Sequence, residues 1–489
     1  RHSPDGSNTT RSRGTPRHSP AQRGSLCYPP PMLTLLLALL PANAGGYYYS
    51  DSGVVAAGRA GAWVAGADTQ FAQYYNPAGL IRVDAPSFSA GLSGVQQNVR
   101  FDRVDDAGNL LPAARNQAPP FSVPQLGFAT PINDKLGVAF GFNSPFAPSS
   151  QYDKEGAQRY SIIETTIWQF AIGGSVAYRP VPWLTVGGSV GGQSLRIDEQ
   201  LKVTITGPDN DGVDDPEGDV LVEARTWDEL KPWWNLGVLI EPHERVTIGL
   251  SMTPPVRFVS RGPGLLDFSG NFLEDQLDQS VWNDEDVALN VSLPVILRGG
   301  VAVRPDPAAE LELAVVWEPW SSLSDIEVED IDVTVTGPLV GSREVPEKLS
   351  LPSDFRNNVS VRLGGEWRVH RQVEVRAGAM WERGALFPQN LSLALVDPWK
   401  VQTSLGASAW LIDGRLRIDG MSSALFFPRL EIDDSTVTQT VIPITASVPD
   451  PAVVGNGTVR SNGWTAGVRL AWGFTSKTRE TLHGTTREP

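Results

Sequence analysis

The sequence predicts an all-β membrane protein, a 14-stranded antiparallel transmembrane β-barrel with an N-terminal hatch, or plug, inside its lumen. Three observations lead to this prediction. Beyond the N-terminus there is no run of 18 or more apolar residues, which excludes helical membrane spans. Many segments alternate apolar and polar residues, and short turns alternate with long connections along the chain.

The first 44 residues are expected to be an upstream extension and a signal peptide. Residues 33–40 form an apolar core, and Pro41-Ala42-Asn43-Ala44 follows as an A-x-A cleavage pattern. We therefore expect export and a mature chain that begins at Gly45. Residues 1–31 contain no methionine, so they are either an extended n-region or sequence upstream of a start at Met32.

The mature chain is strongly acidic and contains no cysteine. Five of the 40 basic and one of the 55 acidic residues precede Gly45, so 35 basic and 54 acidic residues remain, a net charge of −19. This charge argues against nucleic acid or an anionic membrane surface as a partner. The single cysteine, Cys27, precedes the cleavage site, which fits export without disulfides and equally fits plain avoidance of cysteine.

Alternation is clearest in the C-terminal half. In residues 359–369 the apolar residues fall at odd numbers and every charge falls at an even number, so one face of the strand is apolar and the other polar. An arginine facing lipid at the bilayer midplane costs about 2–4 kcal/mol. We therefore expect four arginines to point into the lumen and to pair with Glu366, Glu374 and Asp419; they are Arg362, Arg376, Arg417 and Arg469.

The spacing of turns gives the number of strands. Six short connections occur near residues 133–135, 180–182, 241–245, 304–310, 369–372 and 412–414. Seven longer polar stretches lie around them, near 103–121, 146–159, 207–219, 261–285, 337–354, 384–398 and 431–456. Thirteen connections that strictly alternate imply fourteen strands with both ends on the short-turn side, as in outer-membrane barrels and unlike sandwiches.

Aromatic residues near strand ends suit the two membrane interfaces. Tyr178 and Trp183 flank one short turn, and Trp367 and Trp410 precede two others. Ordinary strand aromatics with high β-propensity would give the same positions. A fourteen-stranded wall encloses a bore too wide for its own side chains to fill, so a separate segment must plug it.

Short motifs along the chain resemble the FadL/TodX (OMPP1) family of outer-membrane transporters. Residues 58–62 (Gly-Arg-Ala-Gly-Ala) and 76–80 (Asn-Pro-Ala-Gly-Leu) are similar to the family's N-terminal hatch. Residues 143–146, 159–160, 175–179, 183–187, 405–408 and 454–458 match later family positions in order. The similarity covers about residues 45–474.

The resemblance implies a domain layout and a function. Residues 45–84 would form the hatch, 85–474 the barrel, and 475–489 a polar C-terminal tail. Long-chain fatty acids or other hydrophobic compounds, aromatics included, would be captured by external loops and leave through a lateral opening at a kinked third strand. Asn76, Pro77 and Ala78 would lie at the hatch close to that kink, and Gly141 and Pro145 would lie at the bend.

The residue chemistry allows this arrangement. Proline holds the preceding Asn76 extended, which sets the angle of its side-chain amide. Gly141 weakens strand geometry and Pro145 removes a ladder donor, although both would also simply end a strand. An apolar stretch with Leu265, Leu266, Phe268 and Phe272 could capture ligand, or could belong to a loop packed on itself.

Two motifs suggest other chemistries. Asp209, Asp211, Asp214 and Asp215 could surround a hard cation, but an acidic solvent loop explains them as well and the EF-hand glutamate is missing. Residues 187–191 match the G-x-S-x-G nucleophile pattern around Ser189, but they lie inside a Gly-rich strand. We expect no enzymatic activity, no cofactor and no metal site.

The sequence thus predicts a passive, monomeric barrel in the outer membrane of a Gram-negative bacterium. Its partners would be a hydrophobic small molecule and the surrounding outer-membrane lipid and lipopolysaccharide. A non-transporting barrel with adhesive or structural surface loops is the alternative. A soluble exported all-β binding protein is the third possibility.

Overall fold

The computed structural model describes residues 52–146, 149–206, 214–322, 326–345, 349–351, 354–441 and 450–474. The predicted signal peptide, the start of the hatch, Asp209, Asp211 and the tail after Phe474 lie outside these ranges. No helix within them is long and apolar enough to span a membrane.

Fourteen long strands form the wall of a closed antiparallel barrel, as predicted. They are β1 Ser87–Arg103, β2 Phe121–Asn133, β3 Leu136–Phe146, β4 Glu164–Val181, β5 Leu184–Thr204, β6 Lys231–His243, β7 Val246–Thr253, β8 Ile296–Asp306, β9 Ala309–Glu318, β10 Asn358–His370, β11 Val373–Glu382, β12 Lys400–Leu411, β13 Leu416–Phe426 and β14 Gly457–Gly473.

Each wall strand pairs with the next strand along the chain, and β14 pairs with β1 to close the cylinder. The closing seam runs from Ser87 opposite Gly473 to Arg103 opposite Gly457. The six predicted turns join strand pairs directly, and the seven long stretches join the other ends. We call these ends the short-turn end and the long-loop end.

The alternation sorts side chains as the sequence predicts. On β10, Val361, Leu363 and Trp367 are 40–58% exposed on the outer face, whereas Arg362 is buried inside. The four predicted inward arginines are all paired: Arg376 lies 2.5 Å from Glu374, Arg417 lies 2.7 Å from Asp419, Arg469 lies 2.5 Å from Asp419, and Arg362 lies 3.9 Å from Glu382.

The aromatic residues at the short-turn end behave in two ways. Tyr178, Trp183 and Trp367 are about half exposed on the outer face, where an interfacial ring belongs. Trp410 instead stacks with two arginines, Arg368 and Arg417, whose guanidinium carbons lie 5.5 and 4.8 Å from its ring centre.

Several strands continue beyond the wall at the long-loop end. Asp219–Trp227 pairs with the outer part of β5, and it pairs on its other side with Val256–Asp267. Val281–Leu293 pairs in turn with Val256–Asp267. The stretch predicted as a long loop around 261–285 is therefore largely a hairpin, because its residues gain ladder partners that only the folded sheet supplies.

Shorter elements complete the described chain. The remaining strands are Ala114–Arg115, Ser149–Gln151, Ile326–Glu329, Thr334–Gly337, Gly341–Glu344, Leu349–Leu351 and Leu430–Ile432. The α-helical turns are α1 Val54–Ala57 and α2 Ala72–Tyr75, and the 3₁₀ turns are Pro77–Arg82, Pro216–Gly218, Glu274–Gln276, Trp320–Ser322 and Pro388–Asn390.

Candidate functional site

The N-terminal segment, residues 52–83, is buried almost throughout although it contributes no strand to the wall. Trp63, Arg59, Tyr75 and Leu80 rank among the largest side chains with no exposed surface. The segment contacts inward-facing residues on strands around most of the wall. It therefore lies where the predicted hatch, residues 45–84, would be.

Glycines on the inner face of the wall let this segment approach the strands closely. A Cβ atom at Gly187 would overlap the backbone of Pro77 and Ala78, and one at Gly249 would overlap the carbonyl of Val64. Cβ atoms on four further strands, β3, β6, β10 and β11, would also overlap the segment, either its backbone or, at Gly237, the side chains of Asn76 and Pro77: Gly137, Gly237, Gly364 and Gly378. The inner face of the wall is thus complementary in shape to the segment. At these glycines there is no room for the methyl group of an alanine.

An ion-pair cluster fastens the segment to β9 and β10. Arg59 is completely buried and lies 3.0 Å from Glu310, 3.5 Å from Glu312 and 3.4 Å from Glu366. Glu312 also accepts hydrogen bonds from the backbone N–H groups of residues 64–66, at 2.6–2.9 Å. Such charge-assisted bonds are the strong kind, so this cluster, which we call the Arg59 cluster, is the main anchor.

A second set of contacts holds the end of α2 against β5, β6 and β7. The last carbonyls of a helix have no partner within it. Ser189 donates to the carbonyl of Gln73 at 2.9 Å, Asn235 donates to that of Tyr74 at 2.8 Å, and Ser251 donates to that of Tyr75 at 2.5 Å. The serine of the G-x-S-x-G pattern is therefore a contact to the segment, not a group beside a histidine.

Asn76 adopts the predicted extended backbone, with φ of −159°. Its side chain forms hydrogen bonds with three backbone groups. Its oxygen accepts from the N–H of Ala78 at 3.2 Å, and its amide donates to the carbonyls of Val64 and Val238 at 2.9 and 3.1 Å. Pro77 and Ala78 pack on Gly187.

The structure corrects the expected position of this motif. We expected Asn76 close to the bend in the third strand, but its hydrogen bonds reach β6, and Pro77 and Ala78 contact β5. The bend is contacted instead by Gln73, whose amide donates to the carbonyl of Gly141 at 3.4 Å, and by Ser52, whose hydroxyl donates to that of Ser144 at 3.3 Å.

The wall is unpaired on one side of the third strand beyond Phe142, where Pro145 lies, whereas Gly141 still pairs with Gly127 and Gly173. Pairing between β2 and β3 runs from Asn133 opposite Leu136 to Leu126 opposite Phe142 and then stops. The β3–β4 pairing is irregular between Asn143 and Phe146. Among the described residues, residues 121–125 of β2 pair only with β1, so a gap in the ladder opens toward the long-loop end.

A cavity lies directly inside this gap. It is lined by Ser52, Gly53 and Ala57 of the N-terminal segment and by wall residues that include Gln125 and Pro145. Its volume is about 30 Å³, room for a water-sized probe and far too little for an acyl chain. In this conformation the cavity is therefore too small to hold a hydrophobic ligand.

A second, polar cavity of about 250 Å³ contacts the Arg59 cluster. Its lining includes Gly66, Arg82, Arg304, Glu310 and Glu366. Arg82 also donates to Glu241 and Thr247, at 3.0 and 2.9 Å. Water thus has room beside one anchor of the N-terminal segment.

An apolar core fills the space between the extensions at the long-loop end. Two of the predicted capture residues, Leu266 and Phe268, are buried in it, and Phe268 packs edge-on against Trp282 at 5.1 Å. Leu265 is half-buried, and Phe272 is 48% exposed. The stretch is thus packed on its own core, with Phe272 at the surface.

Charged residues join three external connections above this core. Arg103, fully buried, forms a two-pronged pair with Asp214 at 2.7 and 3.0 Å, and Arg159 lies 2.7 Å from Asp219. Tyr160 donates to Asp219 at 2.8 Å. Burial raises the pKa of Asp219 above its usual value, against the lowering effect of Arg159.

Asp214 and Asp215, the aspartates of the acidic loop that the structure describes, have structural roles. Asp214 is a counter-ion of arginine, and Asp215 caps the turn that follows by accepting from the N–H of Glu217 at 3.1 Å. No group of three or more His, Cys, Asp or Glu side chains suited to a metal ion occurs within the described ranges.

From the sequence, Arg59 was recognisable only as part of the Gly-Arg-Ala-Gly-Ala motif, and its pairing with Glu310 and Glu312 was not predicted. Glu310 and Glu312 lie two apart on β9, so a signal existed: two acidic residues on the inner face of one strand require buried counter-charges. Ser189, Asn235 and Ser251 carried no signal, because serine and asparagine on an inner face are unremarkable.

These features define a class of protein, an outer-membrane β-barrel whose lumen is filled by its own N-terminal segment. The chain belongs to the family of outer membrane protein transport proteins (OMPP1/FadL/TodX), whose model matches residues 35–474. It is thus an outer-membrane protein of a Gram-negative bacterium and belongs to a family of transporters.

Individual relatives are distant but cover much of the chain. The long-chain fatty acid transport protein of Escherichia coli O6:H1 is 24% identical over 259 residues, 50% of this chain and 54% of that protein. Outer membrane protein P1 of Haemophilus influenzae is 24% identical over 413 residues, 76% of this chain and 84% of that protein. The crystal structure of a Pseudomonas aeruginosa FadL homologue superimposes with a TM-score of 0.71 at 18% identity, covering 88% of this chain and all of the other.

Proposed function

We propose that this protein carries long-chain fatty acids or other hydrophobic small molecules passively across the outer membrane and releases them sideways through the gap between β2 and β3. The observation that carries the proposal is the unpaired stretch of β2 and β3 beside a closed cavity. The family and the name of the Escherichia coli relative support the class of ligand. The single chain closes its own wall, which supports a monomer as the working unit.

A lateral exit suits this ligand class because the outer face of the wall contacts lipid. Each CH₂ group that leaves water gains about 0.8 kcal/mol. A ligand that passes from the lumen directly into the acyl layer avoids the aqueous phase beyond the short-turn end. The driving force is then the ligand's own gradient and its transfer into lipid.

In the closed form, Phe121 and Trp168 cover the gap and Pro145 lies behind them. Phe121 and Trp168 pack against the buried Val95 and Val123, and the indole N–H of Trp168 donates to the hydroxyl of Ser144 at 3.0 Å. Pro145 lines the cavity behind them. Opening requires these groups to separate and the hatch, residues 45–84, to withdraw from the cavity.

The external end supplies the entry. Phe272 is the exposed member of the predicted capture stretch, and Leu265, Leu266 and Phe268 continue inward from it to the apolar core. We propose that ligand first contacts Phe272 and then displaces side chains of this core. Gly141 and Pro145 act at the exit, while Asn76, Pro77 and Ala78 hold the hatch to β5 and β6.

A cross-link across the gap tests the exit. A chain that begins at Gly45 has no cysteine, so Gln125→Cys with Asn143→Cys introduces the only two thiols. These positions follow the last paired residues of β2 and β3. A short bis-maleimide should abolish uptake of fluorescent fatty acid into liposomes, whereas a mono-maleimide should leave most of it.

The matched control joins two strands that are already paired. Thr403→Cys with Ala424→Cys lies across the intact β12–β13 ladder, and its cross-link should leave uptake unchanged. Uptake that survives the Gln125–Asn143 cross-link would refute the lateral exit. Absence of uptake by the inserted parent protein would refute transport itself and favour the adhesive or structural barrel.

A further inference from the structure

A row of polar side chains crosses the inner face of the external sheet. Ser150 is paired with Thr165 of β4, Thr165 with Glu199 of β5, and Glu199 with Ala224. Residues directly opposite each other in an antiparallel sheet point to the same side, with Cβ atoms about 4.5–5.5 Å apart. Three neighbouring strands thus place a hydroxyl, a hydroxyl and a carboxyl side by side.

All three polar side chains are buried, and they have no hydrogen-bond partner among the described residues. Ser150, Thr165 and Glu199 are 4%, 0% and 2% exposed. The Ser150 and Thr165 hydroxyls and both oxygens of Glu199 are unpartnered. Native proteins rarely leave buried polar atoms unpaired, and each such atom calls for an explanation such as a missing ligand or water.

The surroundings of the row are apolar. The adjacent row toward the short-turn end contains Ile167 and Ile197, and the adjacent row on the other side contains Leu201 and Val222. All four belong to the core that also holds Leu266 and Phe268. The row is therefore a polar strip in the apolar interior into which ligand would pass after capture.

The row lies beyond the part of the wall that contacts lipid tails. The outer face of β5 is apolar at Val186 and Val190 but carries Arg196 and Asp198 farther along, next to Glu199. Burial raises the pKa of the Glu199 carboxyl well above its usual value. Burial thereby favours the protonated form of the carboxyl, which can act as a hydrogen-bond donor.

We propose that Thr165 and Glu199, with Ser150 at the edge of the row, bind the carboxylate head of a hydrophobic ligand on its way through the external core. This proposal rests on the proposed transport function and narrows its ligand class to hydrophobic molecules with a hydrogen-bonding head. The protonated Glu199 and the Thr165 hydroxyl each donate to one carboxylate oxygen. The neighbouring isoleucine, leucine and valine side chains contact the start of the acyl chain.

The test compares two ligands that differ only in the head. Binding of palmitic acid and of methyl palmitate to the purified full-length barrel is measured by quenching of tryptophan fluorescence. Thr165→Val and Glu199→Leu should each lower the preference for the acid about tenfold, the loss expected for one hydrogen bond to a charged group. Affinity for the ester should stay within a factor of about two, because the apolar walls are unchanged.

Stability distinguishes a binding role from a structural one. Because the removed groups have no partner in the closed form, both variants should resist heat as well as or better than the parent. Glu199→Gln, which keeps a donor, should retain most of the preference for the acid. Infrared spectra should show the band of a protonated carboxylic acid in the parent, and Glu199→Leu should lose it.

Ser89→Ala is the matched control. It also removes a buried, unpartnered hydroxyl on the inner face, but at the short-turn end of β1, and it should leave the preference unchanged. An unchanged preference in both row variants, or a loss of heat resistance in either, would overturn this inference. If the parent binds and transports neither ligand, the proposed function fails instead.

Discussion

At the scale of single residues, the unusual feature is a fully buried arginine that faces three carboxylates. Arg59 and Glu310 are 251 positions apart in the chain, and their bond at 3.0 Å joins the N-terminal segment to the start of β9, near the short-turn end. Removing one partner of a buried ion pair is strongly destabilising, because it leaves a buried charge less well compensated. The Arg59 cluster therefore fixes both the position and the stability of the segment.

Glu312→Gln should loosen the N-terminal segment. The amide lacks the negative charge that faces Arg59, and one of its two ends cannot accept from the N–H groups of residues 64–66. We expect a loss of about 3 kcal/mol, the lower end of the range for a broken buried pair, because Arg59 keeps Glu310 and Glu366. Urea unfolding in detergent measures the loss, and conductance across a planar bilayer reports the unblocked bore.

Glu431→Gln is the control for this prediction. Glu431 pairs with Arg429 at 2.7 Å, but its side chain is 72% exposed, so neither unfolding nor conductance should change beyond error. Equal behaviour of the two variants would show that the Arg59 cluster does not anchor the segment.

At the scale of elements, the fit between the N-terminal segment and the wall depends on glycines, which have no side chain. Glycines on six strands, from Gly137 on β3 to Gly378 on β11, lie where the segment touches the wall, and five of them face its backbone. Glycine costs conformational entropy in a strand and contributes no packing of its own. Its repeated use here is explained by the close approach of a second backbone.

Gly187→Ala should displace the Asn76-Pro77-Ala78 turn from β5. The new methyl group would overlap backbone atoms of Pro77 and Ala78, which cannot rotate away. Overpacking of this kind typically costs about 1–3 kcal/mol. Limited proteolysis within residues 52–83 should become faster, and background leak through liposomes should rise.

Gly420→Ala provides the comparison, because a Cβ atom there meets nothing within 4 Å. Its proteolysis and leak should match those of the parent protein. If Gly187→Ala behaved in the same way, the segment would have to be less tightly seated than its contacts indicate.

At the scale of the whole molecule, one cylinder separates two environments. Its outer face presents apolar side chains such as Leu405 and Val190, both 68% exposed, and its inner face presents paired ions. A water-soluble protein would hide the first set and expose the second. This arrangement, with apolar side chains outside and charged ones inside, is stable only when lipid or detergent surrounds the wall.

Leu405→Arg should impair folding into lipid vesicles. Leu405 lies at the middle of β12, so the arginine would face the bilayer interior at a cost of about 2–4 kcal/mol. Unheated gel mobility and urea titration of vesicle-inserted protein measure the loss. Leu405→Phe keeps the outer face apolar and should insert normally; an arginine variant that inserts equally well would contradict the placement of this face.

The sequence by itself determined the number of strands, the two kinds of connection and the inward direction of Arg362, Arg376, Arg417 and Arg469. These features follow from a period of two residues and from turn spacing, which are local and readable along the chain. Only the tertiary structure decided that Asn76 reaches β6 rather than the bend in β3, that Glu312 receives the N–H groups of residues 64–66, and that Ser150, Thr165 and Glu199 form one row. Each of these contacts joins positions on different strands, and their convergence depends on the register and closure of the barrel, which no single stretch of sequence encodes.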